Sequence, residues 1–284
     1  MSNGPYPMSV CYGPFHQEGK GPGSGNYSPA DINYDMEIIA LYFKKIRTYA
    51  VDDANQWNVQ TASQHGLQVC LGAWIYPGNE TGTNSQIVTA IQQAKQSPGT
   101  VVHLIVGNEV DLVSNVNEVI NALNYAKTNR DGLNIPVTAC FTAKALGPGA
   151  PIDWSPAINA CEDVVYLTVY PFYGNCTPDN IDTCMQWSYQ NGIKQVMALG
   201  KRVIIAEIGW PSAGGQNTSP NNELTNYNVT KAWVSGNNSL NLSFETFWFE
   251  MFDEPWKTGE GPQGPHWGLY GSGKTPTPKF QIPP

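Results

Sequence analysis

Eight β-rich apolar runs, each but the last followed by a stretch of helical periodicity, predict an α/β fold of the (β/α)8 barrel (TIM barrel) type for this 284-residue chain. Three observations carry that expectation. The runs begin about 33 residues apart on average, which leaves room for a crossover helix between parallel strands. The Gly-rich stretch Gly19–Gly25 lacks dinucleotide-turn spacing and opens no helix, which disfavours a doubly wound sheet. No linker or composition break divides the chain, so residues 1–284 read as one barrel domain with residues 1–8 as a flexible N-terminal tail.

The elements follow in order. The first strand is placed over Val10–Phe15. Ser28-Pro29 then opens a helix over Asp31–Phe43, with Ile32, Met36, Ile39 and Phe43 along one face. Strand two covers Lys45–Ala50, and a helix follows over Asn55–Gln64. Strand three, Gln68–Ile75, precedes a helix over Ser85–Gln96 that stops at Ser97-Pro98-Gly99. Strand four is Val101–Val106, and Val116–Thr128 sets Val116, Val119, Ile120, Leu123 and Ala126 at helical spacing. Strand five, Pro136–Phe141, leads to a less periodic segment over Pro151–Ala160. Strand six, Val164–Tyr170, leads to a helix over Asp182–Leu199 capped by Gly200. Strand seven, Val203–Ile208, leads to Asn222–Val234, and strand eight is Phe244–Phe249. The tail beyond Trp256 is rich in Gly and Pro, so the last helix is expected to be short or absent.

Composition narrows the partners. Charged residues are 13% of the chain, about half the usual ~25%, and the net charge is −8. No Lys/Arg cluster exceeds the pair Lys44–Lys45, so no nucleic acid partner is expected. No run approaches the ~18 apolar residues of a membrane span. Either the chain is cytosolic or a signal peptide has been removed; six cysteines and several Asn-x-Ser/Thr triplets favour a secreted or cell-wall protein. Cys176 and Cys184 are close enough in sequence to close a small disulfide ring, while Cys11, Cys70, Cys140 and Cys161 are scattered with their pairing open. His16, His65, His103 and His266 show no ligand spacing, so no metal and no cofactor are implied. A monomer is expected.

In a barrel of this kind the chemistry sits where the strands end. Glu109 follows strand four in Gly107-Asn108-Glu109, and Glu207 ends the buried run Val203–Glu207. Each carboxylate has an ordinary reading: Glu109 at a helix start, Glu207 in a salt bridge inside the barrel. Together on one rim they face a shared cavity, the arrangement used for glycoside hydrolysis. A regular strand would point Asn108 and Glu109 to opposite faces, and Gly107 supplies the turn that brings both to one side.

Val106-Gly107-Asn108-Glu109 and Ile205-Ala206-Glu207-Ile208-Gly209-Trp210-Pro211-Ser212 resemble the two signatures of family 17 glycoside hydrolases. Phe252-Asp253-Glu254-Pro255-Trp256-Lys257 and His266-Trp267-Gly268-Leu269-Tyr270 resemble that family's C-terminal block, in the form of its fungal cell-wall members. The resemblance extends over all eight strands. It implies a retaining β-1,3-glucanosyltransferase or β-1,3-glucanase acting on β-1,3-glucan or laminari-oligosaccharides in an open groove. It makes Glu109 the acid/base, Glu207 the nucleophile, and Glu254 with Lys257 an accessory polar pair. The alternatives are a plain endo-β-1,3-glucanase and a carbohydrate-binding barrel without catalysis.

Other residues are expected to hold the sugar. Asn108 is suited to a sugar 2-hydroxyl, and Tyr170 can donate its hydroxyl to Glu207. Aromatic rings gather at the strand ends: Tyr12, Trp74, Tyr76, Phe172, Tyr173, Trp210, Trp248, Phe252 and Trp256. Of these Tyr12, Trp210 and Trp248 are taken as substrate platforms, Trp248 first among them.

Overall fold

Strands and helices alternate through the computed structural model, which describes residues 7–174 and 176–283. The chain runs β1 (Ser9–Cys11), α1 (Pro29–Ala40), β2 (Lys45–Arg47), α2 (Asn58–Gln64), β3 (Gln68–Ala73), α3 (Glu80–Gln96), β4 (Val101–Val106), α4 (Val110–Val113) and α5 (Val116–Asn129). It continues through β5 (Val137–Thr138), β6 (Cys140–Thr142), α6 (Ser155–Ala160), β7 (Val164–Thr168), α7 (Asp182–Ser188), α8 (Lys194–Ala198), β8 (Arg202–Ile208), α9 (Pro220–Val234) and β9 (Thr246–Trp248).

Every strand pairing is parallel, in the order β5-β4-β3-β2-β1-β9-β8-β7-β6. The strands β5 and β6 are the two halves of the expected fifth strand, parted at Ala139. One half pairs with β4 and the other with β7, so a barrel of eight closes through a single broken strand. The expected (β/α)8 architecture is the observed one.

Burial follows the alternation of each strand. One set of side chains meets the helices, as Ile32, Met36 and Ile39 of α1 do from the other side of that interface. The opposite set fills the barrel interior: Cys11, Cys70, Ile105, Cys140, Tyr166, Ile204 and Phe247. His103 is satisfied there by the Tyr166 hydroxyl at 2.7 Å. Cys11, Cys70, Cys140 and Cys161 are unpaired and buried.

Local differences from the sequence reading have local causes. Helix α3 begins upstream of Ser85 because the Asn79 side chain accepts from Gly82 N and caps it there. The predicted Asp182–Leu199 helix is parted by a π-helical turn, Tyr189–Ile193. Gly192 in that turn lies against the Ala143 carbonyl, where any Cβ would collide. Among the described residues after β9 the chain makes two 3₁₀ turns, Lys257–Glu260 and Gly264–His266, in place of a last helix. Lys279 beyond them fastens the tail, with Nζ 2.6 Å from Ser212 Oγ and 2.7 Å from Asp253 Oδ1. Residues 1–6 of the expected tail, and Asn175 of one Asn-x-Thr triplet, lie outside the described residues; Met8 is buried.

Cys176 and Cys184 form the expected disulfide, which ties the loop between β7 and α7 to the first turn of α7, with a sequence separation of 8. Closing a loop of that length stabilises the folded state by up to about 2–3 kcal/mol in the chain-entropy model. Cys184→Ser is expected to lower the unfolding free energy by about 2 kcal/mol in urea titrations, and an unchanged midpoint would show that the loop adds nothing to global stability.

Candidate active site

A groove of about 990 Å³ crosses the C-terminal ends of the strands. Glu109 and Glu207 both line it. The turn that delivers Glu109 is unusual. Gly107 has φ 81 and packs where a Cβ would run into Val110 and Ile75, and Glu109 itself has φ 45. A left-handed non-glycine residue costs of order 1 kcal/mol. It breaks the strand's alternation, so Asn108 and Glu109 both line the groove.

Glu207 is presented by a different device. Leu167 is opposite Ile205 and Thr168 opposite Glu207, so β8 carries one residue, Ala206, that β7 does not match. Such a bulge re-aims the side chain that follows it.

Four hydrogen bonds then fix the pair. Arg47, 1% exposed, donates from Nη1 to Glu207 Oε1 at 2.5 Å and from Nη2 to Asn108 Oδ1 at 2.6 Å. The Tyr170 hydroxyl donates to Glu207 Oε2 at 2.5 Å, and Thr168 Oγ1 donates to Glu109 Oε1 at 2.5 Å. The salt bridge considered for Glu207 exists, within the groove floor and with Arg47 as partner. Arg47 and Thr168 were missed from the sequence, although an Arg in a buried strand signals a needed anion.

The environments of the two carboxyls diverge. Burial, and secondly the charge of Glu207, push Glu109 up to about 7, against the opposing hydrogen bond from Thr168. Tyr170 is driven well above its ordinary value, chiefly by burial and then by the Glu207 charge, so it keeps its proton as a donor.

Glu254 and Lys257 also line the groove, and Glu250 joins them from behind. Lys257 Nζ is 3.0 Å from both Glu250 oxygens and 2.6 Å from Glu254 Oε2. One ammonium thus serves two buried carboxyls; burial and then the Glu254 charge push Glu250 well above the usual carboxylate range. Glu254 Oε1 is buried with no protein partner, beside Gly13, where no Cβ fits.

Three expected platforms are corrected. Tyr12 is fully buried because it alternates with Cys11, which takes the barrel interior; its hydroxyl donates to Asp35 of α1 at 2.6 Å. Trp248 is likewise fully buried and packs on Tyr227 of α9 at 5.0 Å, since Phe247 occupies the interior side. Trp210 is 1% exposed, with Nε1 bound to Asn217 O and its ring against Phe172. The rings on the groove are Phe15, Tyr49, Trp74, Tyr76, Tyr170, Tyr173, Phe249, Trp256 and Trp267. Among the described residues no metal-holding cluster of His, Cys, Asp and Glu is present.

Residues 9–268 match the family model of the BtgE/BtgC glycoside hydrolase domain, and the chain belongs to that family. It is 26% identical to a probable glucan endo-1,3-beta-glucosidase btgC of Aspergillus fumigatus, over 98% of this chain and 41% of that protein. A glucan endo-1,3-beta-glucosidase btgC of Emericella nidulans is 26% identical over 90% of this chain and 42% of its own length. The chain therefore spans about two fifths of these curated relatives. In fold it is similar to an endo-laminarinase from Formosa, with TM-score 0.78, 21% identity and coverage of 95% of this chain and 84% of that one. An active-site mutant of Rhizomucor miehei beta-1,3-glucanosyltransferase in complex with laminaritriose has TM-score 0.76 and 22% identity, covering 97% of each chain.

The raised Glu109 makes a stability prediction. Its native value of about 7 lies above the ordinary 4.5, so the folded state binds the extra proton between those limits. Stability is lost as pH rises through that window and stays lower above it. Glu109→Gln lacks the charge, so its stability relative to the parent should improve by about 2–3 kcal/mol between pH 4 and pH 8 in denaturant titrations. An equal difference at both pH values would contradict the assignment.

Proposed function

We propose that this member of the BtgE/BtgC glycoside hydrolase domain family is a retaining enzyme of family 17 type that acts on β-1,3-glucan. In this reading it transfers the cleaved glycosyl to a second glucan chain in preference to water. The observation that carries the proposal is the contrast between the two groove carboxyls. Glu109 holds its proton up to about pH 7, whereas Glu207 receives a guanidinium and a phenol hydroxyl. That division suits an acid and a nucleophile.

The proposed sequence has two displacements. Glu109 gives its proton to the glycosidic oxygen as Glu207 attacks the anomeric carbon, and the leaving chain departs with that proton. Glu109, now a carboxylate, removes a proton from the incoming hydroxyl, which attacks the same carbon and releases Glu207. Arg47 holds the Asn108 carbonyl oxygen, which turns the amide nitrogen towards the sugar 2-hydroxyl. The unpartnered Glu254 Oε1 is an acceptor for another sugar hydroxyl, and Lys257 keeps that residue in place. Transfer is favoured where an acceptor sugar is held better than water. Tyr173, 62% exposed on the groove and ring-to-edge with Tyr170, offers such a face.

Plain endo-β-1,3-glucanase action is the second reading, supported by the names of the curated relatives. The disulfide supports the secreted or cell-wall location. The charge balance and absence of basic clusters support a neutral glucan as ligand, with no nucleic acid or membrane partner.

A time course with a laminari-oligosaccharide at millimolar concentration separates the readings. Early products longer than the starting sugar support transfer, only shorter ones leave a glucanase, and no turnover leaves a binding barrel. Glu207→Gln is expected to lower kcat at least about a thousandfold, because an amide cannot form the glycosyl–enzyme bond. Activity should fall on the alkaline side near pH 7 as Glu109 loses its proton. Thr168→Val removes a hydrogen bond to the charged form, so it should move that limb upward by about 0.5–1 pH unit.

A further inference from the structure

The two ends of the groove are built differently, and the barrel's order says where they lie. Glu109 follows β4 and Glu207 ends β8, the fourth and seventh strands of the eight-stranded ring. A sugar worked on from opposite sides by two carboxyls lies between them, so its chain crosses the line that joins them. Around the ring, that path leaves between the loops after β6 and β7 on one side, and between the loops after β1 and β2 on the other.

At the first exit, among the described residues, no hydrogen bond joins the loop 143–154 to the loop 170–181. The second exit is clasped. Gly23 N, in the loop after β1, donates to Asp53 Oδ2, in the loop after β2, at 2.6 Å. The same loop rests on the ring of Trp256, so closely that a Cβ on Gly21 would lie 3.1 Å from Trp256 Cβ. Gly19, Gly23 and Gly25 have φ 68, 83 and 64, a backbone that side chains would strain. Pro22 and Gly23 face the groove beside Phe15 and Asp53. The glycines that fail as a phosphate turn thus build a wall.

We propose that the Gly19–Gly25 loop is the end stop of the groove. It closes the β1–β2 exit, so one terminus of the glucan chain lies against Pro22, Gly23 and Asp53, and the bond cleaved is counted from that terminus. A chain terminus presents a hydroxyl where an internal unit presents a linkage, and Asp53 Oδ1, to which none of the described residues donates, is the acceptor for it. This inference rests on the glucan reading above, which fails separately if the parent protein leaves laminari-oligosaccharides unchanged.

The test is the cleavage pattern on reducing-end-labelled laminariheptaose, read at equal low conversion so that overall rate drops out. The parent protein is expected to cut chiefly at one bond, and the label shows which terminus is at the stop. Asp53→Ala, and a variant with Lys20–Ser24 replaced by two glycines, should spread cleavage to neighbouring bonds. Loss of one such contact lowers the preference for the main bond about three- to tenfold. Equal cutting at several bonds by the parent protein would overturn the stop. So would a pattern unchanged in Asp53→Ala and in the shortened loop, wherever that variant still cleaves.

Discussion

Arg47 is the constraint on which the groove floor depends. It reaches two groove residues held by different strands, Glu207 on β8 and Asn108 after β4. Its own strand, β2, is separated from β4 by β3 and from β8 by β1 and β9. Burying a guanidinium is unfavourable unless carboxylate and amide acceptors meet it, and removing one partner of such a pair costs about 3–5 kcal/mol. The position of Glu207 is thus set by charge satisfaction within the barrel rather than by the rim loops. The stacking of Arg47 on Tyr49, at 4.7 Å, adds a planar support beneath the same group.

Around that anchor the protein tolerates costs that a purely structural barrel would avoid. Glu109 occupies a left-handed backbone and a buried site. Lys257 is shared by two buried carboxyls, one of which keeps an unpartnered oxygen. Deeper in the barrel His103 and Tyr166 are paired with each other, while Arg47 Nε and Tyr49 Oη, near the floor of the groove, have no protein partner.

The sequence made the barrel legible because the spacing of apolar runs and the length between them are local properties. Val101–Val106 was placed to the residue, and Glu109, Glu207 and Tyr170 were assigned to the rim on strand order alone. Facing was less legible. Tyr12 and Trp248 lie on the helix side because the residues next to them took the interior, and a run of apolar residues buried on both faces does not say which way it alternates. Arg47 and Thr168 could not be paired with their partners before the barrel brought distant strands together, since those pairs are separated by 160 and 59 residues, whereas Glu250 and Lys257 are separated by 7. The last of these is near in sequence, yet Glu250 was hidden as an acidic residue at the end of an aromatic strand.

The fastening of Lys279 has a consequence for how the molecule is made. Ser212 of the second signature and Asp253 beside Glu254 both depend on that ammonium, and β1 waits for β9 to complete its pairing. During synthesis the first strand is therefore exposed on one edge until β9 (Thr246–Trp248) has left the ribosome. Until then the unpaired β1 edge is the surface that a chaperone would have to shelter.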